Sequence, residues 1–206
     1  MRAVCVVQAR LGSTRLPGKV LMPFGNMTVL GSVLSRCKQI RGVDEVVCAI
    51  PDEPRSEKIE EEALKFGIVS YRGPEDDVLT RYYLAATATD ADAVMRITAD
   101  CPLIDPNVCW QVLKRFYRDR TPYISNVLPR TYPRGLDCEV FSFKALEQAF
   151  TDARQDYDRE HVTPFIQRYF TRDFISGPGP DGTPLTIDTT EDYERLVTFE
   201  RKSLAI

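Results

Sequence analysis

Four short runs of β-branched and small apolar residues recur through the first half of the chain, at 2–8 (RAVCVVQ), 45–50 (EVVCAI), 68–71 (IVSY) and 93–98 (AVMRIT). Runs that are apolar at consecutive rather than alternate positions are buried on both faces, as the strands of a parallel sheet are. Helical periodicity separates them. Val29, Val33, Leu34 and Cys37 fall on one helical face, as do Ile59, Ala63, Leu64 and Phe66, with Gly67 placed as a C-terminal stop. Segments 77–88 and 106–117 complete the alternation, and Pro106 suits a first helical position. The pattern predicts an α/β fold with a mainly parallel sheet, helices on both faces, and ligands beyond the carboxyl ends of the strands.

Past about residue 120 the pattern loosens into a proline-containing stretch (121–133), a strand-like CEVFSF (138–143), two helical pieces, and a final strand followed by a helix. Gly177 to Pro184 (GPGPDGTP) reads as a loop. We read residues 1–206 as one domain. A composition of 43% hydrophobic and 28% charged residues excludes wholesale disorder and coiled coil. No apolar run approaches a membrane span, and Ala3 to Val7 is too short for a signal-peptide core, so the expectation is a cytoplasmic protein without a membrane partner. The six cysteines form no CxxC pair and are expected to be reduced and mainly buried. The single histidine, His161, excludes His-rich metal sites.

A net charge of −3 gives no sign of a nucleic-acid partner, yet residues 1–43 carry seven Lys or Arg and no Asp or Glu. That asymmetry suits a small polyanionic ligand. Gln8-Ala9-Arg10-Leu11-Gly12-Ser13-Thr14-Arg15-Leu16-Pro17-Gly18-Lys19 follows the first strand with three cations, two hydroxyls and two glycines, the composition of a phosphate cradle. It is not a Walker A loop, because five residues separate the glycines and Val20 follows the lysine. At the end of the fourth strand, Asp100 stands where a carboxylate can hold magnesium against phosphate oxygens. Asp105, ahead of Pro106, reads as a helix N-cap. Near the C-terminus Thr189 or Thr190 reads as the cap of the last helix, with Glu191 and Asp192 in its first turn, whereas Asp188 ends the preceding strand and could meet Asp100.

Taken in order, QARLGSTRLPGK, RITADCPLIDP and LTIDTTEDYERL resemble the cytidylyltransferases that activate acidic sugars, such as the acylneuraminate and 3-deoxy-manno-octulosonate cytidylyltransferases. Arg72-Gly73 with DVLTRYY (77–83), RGLDCEVFS (134–142) and REHVTP (159–164) resemble the spore-coat polysaccharide biosynthesis F-like branch. The resemblance implies a Rossmann-like, nucleotide-diphosphosugar-transferase-like sheet and magnesium-dependent transfer of a cytidylyl group from CTP to a sugar acid or sugar phosphate, in surface polysaccharide or glycan biosynthesis. It implies Arg10, Ser13, Arg15 and Lys19 on the triphosphate, with Gln8, Ala9 and Gly12 in the same nucleotide-binding loop. Arg10, Arg15, Lys19 and Asp100 are the expected catalytic groups, and Asp100 and Asp188 the expected metal ligands. Arg72, Gly73, Asp77 and Arg81 would lie beside base and ribose, and Gly135, Asp137, Glu139, Arg159 and His161 would face the acceptor. A homodimer is the assembly it suggests. The alternatives are a glycosyltransferase, for which Asp90-Ala91-Asp92 has the spelling of a metal motif but precedes its strand, and a non-catalytic nucleotide-binding module.

Overall fold

The computed structural model describes residues 1–204, apart from the side chains of residues 203 and 204. In chain order the elements are β1 (Ala3–Gln8), β2 (Pro23–Phe24), β3 (Met27–Thr28), α1 (Val29–Cys37), β4 (Glu45–Pro51) and α2 (Glu57–Leu64). Next come β5 (Ser70–Gly73), α3 (Val78–Ala88), β6 (Ala93–Thr98), α4 (Pro106–Asp119), β7 (Tyr123–Ser125) and β8 (Glu139–Ser142). The chain closes with α5 (Phe143–Asp152), α6 (Asp156–His161), α7 (Pro164–Tyr169), β9 (Arg172–Phe174) and α8 (Thr190–Leu204).

Seven strands form one sheet in the order β5-β4-β1-β6-β8-β7-β9. Both neighbours of β1 are parallel to it, with Gln8 opposite Ala49 on one side and Thr98 on the other. The antiparallel β8 and β7 then extend the sheet, and β9 runs parallel to β7. From β1 the chain builds outward through β4 and β5, then returns to add β6 on the opposite side. The strand order therefore reverses between β1 and β6, and a crevice opens beyond the carboxyl ends of such a pair.

The central strands are apolar throughout because both faces are covered. Ala3, Cys5 and Val7 pack with Val33, Leu34, Ile59, Ala63, Val112 and Leu113, placing α1, α2 and α4 on one face. Val4 and Val6 pack on the other face with Leu79, Tyr82, Ala85, Leu146, Ala149 and Ile166 from α3, α5 and α7. All six cysteines are free and buried, as their apolar neighbours lead one to expect. Asp105 caps α4 by accepting from the Asn107 amide at 2.7 Å. Among the described residues no helix is long and apolar enough to cross a membrane.

Four details depart from the sequence reading. The third strand pairs over Ser70–Gly73 rather than 68–71. Leu64 is 61% exposed, because it lies five residues after Ile59 and so turns off the buried face that Ile59 and Ala63 share. Three helices rather than two precede β9. Residues 185–188 form no strand. Their amides are satisfied singly instead, Leu185 donating to the Arg134 carbonyl at 2.7 Å and Ile187 to the Asp100 carbonyl at 2.9 Å. Ile187 is anchored from below by Phe24, Val29, Leu103 and Leu196.

Gly135 makes the first of those contacts possible. Its φ is +98°, and a Cβ there would lie 2.4 Å from the Leu185 carbonyl carbon. Gly135→Ala is therefore expected to cost about 1–3 kcal/mol from the backbone conformation alone, with the clash added. Urea denaturation should show a midpoint well below that of the wild type with an unchanged m-value.

Candidate active site

A cavity of about 270 Å³ opens at the switch point, lined by Gln8 and Ala9 at the end of β1, by Thr98, Ala99 and Asp100 at the end of β6, and by the loop that follows β1. The loop closes on the Leu11 carbonyl, which accepts from the amides of Ser13 at 2.9 Å and Gly18 at 3.1 Å, while Leu16 N–H donates to Ser13 Oγ at 3.3 Å. A single 3-10 turn, Lys19–Leu21, follows and points Lys19 inward, so that this lysine is only 9% exposed.

Lys19 Nζ donates to Asp100 Oδ2 at 2.7 Å, to the Ile187 carbonyl at 2.6 Å and to Asp188 Oδ1 at 3.1 Å. Asp100 and Asp188 thus converge, around a lysine ammonium. Arg15 Nη2 reaches the same Asp188 oxygen at 3.0 Å. Burial pushes the Asp100 carboxyl pKa up, but the Lys19 charge and hydrogen bonds from Lys19 and Thr98 outweigh it and hold the group below the ordinary carboxylate value. Asp188 is fixed from its other side by the cap of α8. The amides of Asp188 and Thr189 donate to Asp192 Oδ2 at 3.1 Å, and the Asp192 amide returns a bond to Thr189 Oγ1 at 3.3 Å. Thr189 is therefore the cap, and Asp192 is occupied in a reciprocal capping box.

Arg81 lines the cavity from α3 and is 2% exposed. Its Nε and Nη1 have no hydrogen-bond partner, and burial pushes its pKa down. A guanidinium stays protonated under all ordinary conditions, so this is a buried charge with two unpartnered nitrogens, offset in part by the Glu75 and Asp77 carboxylates. Gly73 makes room for it, since a Cβ there would come within 2.9 Å of Arg81 Cγ. Tyr82, beside it, donates its buried hydroxyl to Val6 O and Gln8 Oε1 at 3.2 Å and so ties Gln8 to the floor.

Glu160 and His161 complete the lining. They end α6 just before Val162, whose φ of +70° is unusual for a β-branched residue, and Thr163 N donates to His161 O at 2.8 Å across it. Such a γ-turn is strained and sets the exit of α6 at the cavity.

Arg10, Ser13, Arg15, Lys19, Arg81, Asp100, His161 and Asp188 are thus brought together with Gln8 and Ala9. Other residues singled out in the sequence stand outside the lining. Gly12 backs onto the Arg55–Glu75 pair, Arg72 donates to Glu60 at 2.7 Å, and Gly73 serves Arg81. Asp77 caps α3 through the Thr80 amide at 2.9 Å and pairs with Arg159 at 2.5 Å. Arg159 and His161 are two residues apart on a helix and so point in different directions. Gly135 abuts Leu185, and Asp137 takes a two-bond grip from Arg130 at 2.6 and 2.9 Å. Glu139 is buried between Arg96 at 2.6 Å and the Tyr123 hydroxyl at 2.5 Å. Thr14, Val20, Val78, Thr98, Ala99 and Glu160 line the cavity without having been singled out. The strand-end position of Thr98 was a usable signal, whereas nothing in the spacing marked Glu160. Asp90 and Asp92 lie at the amino-terminal edge of β6, where Asp92 accepts from the Arg2 amide at 2.6 Å, at the far end of the sheet from the cavity.

The sequence model of the cytidylyltransferase family matches residues 4–201. The chain belongs to that family. The cytidylyltransferase is 31% identical over 211 residues to the spore coat polysaccharide biosynthesis protein SpsF of Bacillus subtilis, covering 96% of this chain and 86% of that one. It is similar to the structure of a cytidylyltransferase from Leptospira borgpetersenii serovar Hardjo-bovis, with TM-score 0.91 and 37% identity over 96% of this chain and 86% of that one. CMP:2-keto-3-deoxy-manno-octonic acid synthetase, solved with CTP, shares the fold at TM-score 0.74 and 20% identity, over 98% of this chain and all of that one.

The donor set suits a hard divalent cation. Asp100 and Asp188 supply carboxylate oxygens that already converge on one positive charge, and magnesium commonly takes only one or two protein carboxylates and completes its shell with water and phosphate. Among the described residues no group of three or more His, Cys, Asp or Glu is placed to hold a metal by itself.

Arg81→Met removes a buried charge whose Nε and Nη1 have no hydrogen-bond partner. It is expected to raise Tm by a few degrees while weakening binding of inorganic triphosphate by about tenfold or more, since a hydrogen bond to a charged group contributes about 1.5–3 kcal/mol. Thermal denaturation and calorimetry on the same sample would expose these opposite signs.

Proposed function

We propose that this cytidylyltransferase takes CTP and transfers its cytidylyl group to a sugar acid or sugar phosphate, releasing pyrophosphate, with magnesium held by Asp100 and Asp188. The observation that carries this reading is the meeting of Lys19, Arg15, Asp100 and Asp188 in the cavity that also holds the unpartnered Arg81 guanidinium. A site of this make-up binds a polyphosphate and a divalent cation together. CTP as donor is supported by the family and by the nucleotide in the related synthetase structure. A role in polysaccharide biosynthesis is supported by the similarity to the spore coat polysaccharide biosynthesis protein of Bacillus subtilis.

In the proposed reaction the acceptor oxygen attacks the α-phosphorus in line. The new O–P bond forms as the bond to the bridging oxygen of the β-phosphate breaks, and pyrophosphate leaves with that electron pair. Arg10 and Arg15 on the loop and Arg81 on the floor stabilise charge as it develops on the phosphoryl oxygens. Bound magnesium would supply Lewis-acid neutralisation of the α-phosphate and the leaving group. Gln8, held by Tyr82, and Thr98 form the floor beneath the nucleoside. Glu160 and His161 define the acceptor side. A sugar phosphate brings an oxygen that is already anionic and needs no base, whereas a sugar-acid hydroxyl passes its proton to a cavity carboxylate, and Glu160 is the one outside the ion cluster.

Pyrophosphate release from CTP should require magnesium and a sugar acid or sugar phosphate. Asp100→Asn and Asp188→Asn should each lower turnover by about 100-fold or more while circular dichroism shows an intact fold. Turnover with UTP or a purine nucleotide in preference to CTP, or wild-type rates in both variants, would overturn the reading.

A further inference from the structure

An ammonium has three protons and no acceptor. In Lys19 all three are taken, by Asp100 Oδ2, Asp188 Oδ1 and the carbonyl of Ile187, and the side chain is almost fully buried. No proton is left over for a phosphate oxygen. Lys19 thus differs from Arg10 and Arg15, which are exposed on the loop. The three oxygens come from segments that no strand ladder joins, and they converge on a cation as hard ligands converge on a metal ion. Without a positive charge between them, two part-buried carboxylates at this spacing would repel.

We propose that Lys19 is a positioning residue whose ammonium occupies the cation-binding position of this site while no nucleotide is bound. It holds Asp100 and Asp188 at the spacing a divalent ion needs and competes with that ion for the same oxygens. Metal then binds poorly to the free protein and well only with a triphosphate, whose oxygens give Lys19 replacement acceptors. The inference rests on the assignment of Asp100 and Asp188 as metal ligands, and its test separates the two.

The experiment is calorimetric titration of Mn²⁺ into the nucleotide-free protein. Wild type should bind weakly. K19M, which keeps the length of the stem and removes the charge, should bind at least about tenfold more tightly. K19Q, which removes the charge but keeps an amide NH2 as donor, should fall between them and carries the comparison if K19M does not fold. Mn²⁺ should also raise the Tm of K19M or K19Q more than that of wild type. If both lysine variants lose stability but bind Mn²⁺ no more tightly than wild type, Lys19 is only a structural tie and the proposal fails. The metal assignment has its own arm. D100N and D188N should abolish the strengthening of CTP binding by magnesium, and if that strengthening survives in both, the assignment fails together with the inference built on it.

Discussion

Three parts of the chain that pair in no common ladder meet at the Lys19 ammonium: the loop after β1, the residue after β6 and the unpaired segment ahead of α8. Hydrophobic burial alone does not choose this meeting point. The strands could be covered by the same helices with residues 185–188 lying elsewhere, since only two backbone bonds tie that segment down. A buried cation with two carboxylate partners does choose it, because any arrangement that leaves one of the three charges unpaired in a part-buried site is costly. Beneath the cluster, Ile187 sits among Phe24, Val29, Leu103 and Leu196, so a small apolar patch and an ion cluster fix the same residue pair from opposite sides.

The elements legible in the sequence were those with a repeating physical cause. Consecutive apolar positions marked β1, β4 and β6 because both faces of a central strand are covered, and Asp105 read as a helix start because a short acidic side chain caps free amides. Asp100 was visible from its place at a strand end. Asp188 was visible only by elimination, once capping accounted for its acidic neighbours. Local spacing carries no information about partners far away in the chain. For that reason the commitment of Asp137 to Arg130, of Glu139 to Arg96 and of Asp77 to Arg159 could not be read in advance. The extended segment before α8 has the composition of a strand, yet its amides bond singly to Arg134 and Asp100 and it joins no ladder. Glu160 stood inside the REHVTP motif without a role of its own, because a single carboxylate in a short polar helix looks the same whether it faces a cavity or solvent.

Arg81 and Lys19 show two ways of keeping positive charge in a dry place. Lys19 is fully satisfied by the protein and contributes order. Arg81 is left with two buried nitrogens that have no hydrogen-bond partner, its charge offset in part by the Glu75 and Asp77 carboxylates. The strained exit of α6 at Val162 is held by packing, since the Val162 side chain is buried in the apolar layer with Leu146 and Ile166. Such features gather at one end of β1 and β6, while the opposite end of the sheet holds ordinary surface pairs such as Arg2 with Glu45.

Anomalous diffraction from crystals grown with CTP and manganese tests the central claim most directly. The account predicts a manganese peak within coordination distance of carboxylate oxygens of both Asp100 and Asp188, with the Lys19 ammonium moved off at least one of them onto a phosphate oxygen. A peak remote from that pair, or one beside it with all three Lys19 contacts intact, would contradict it.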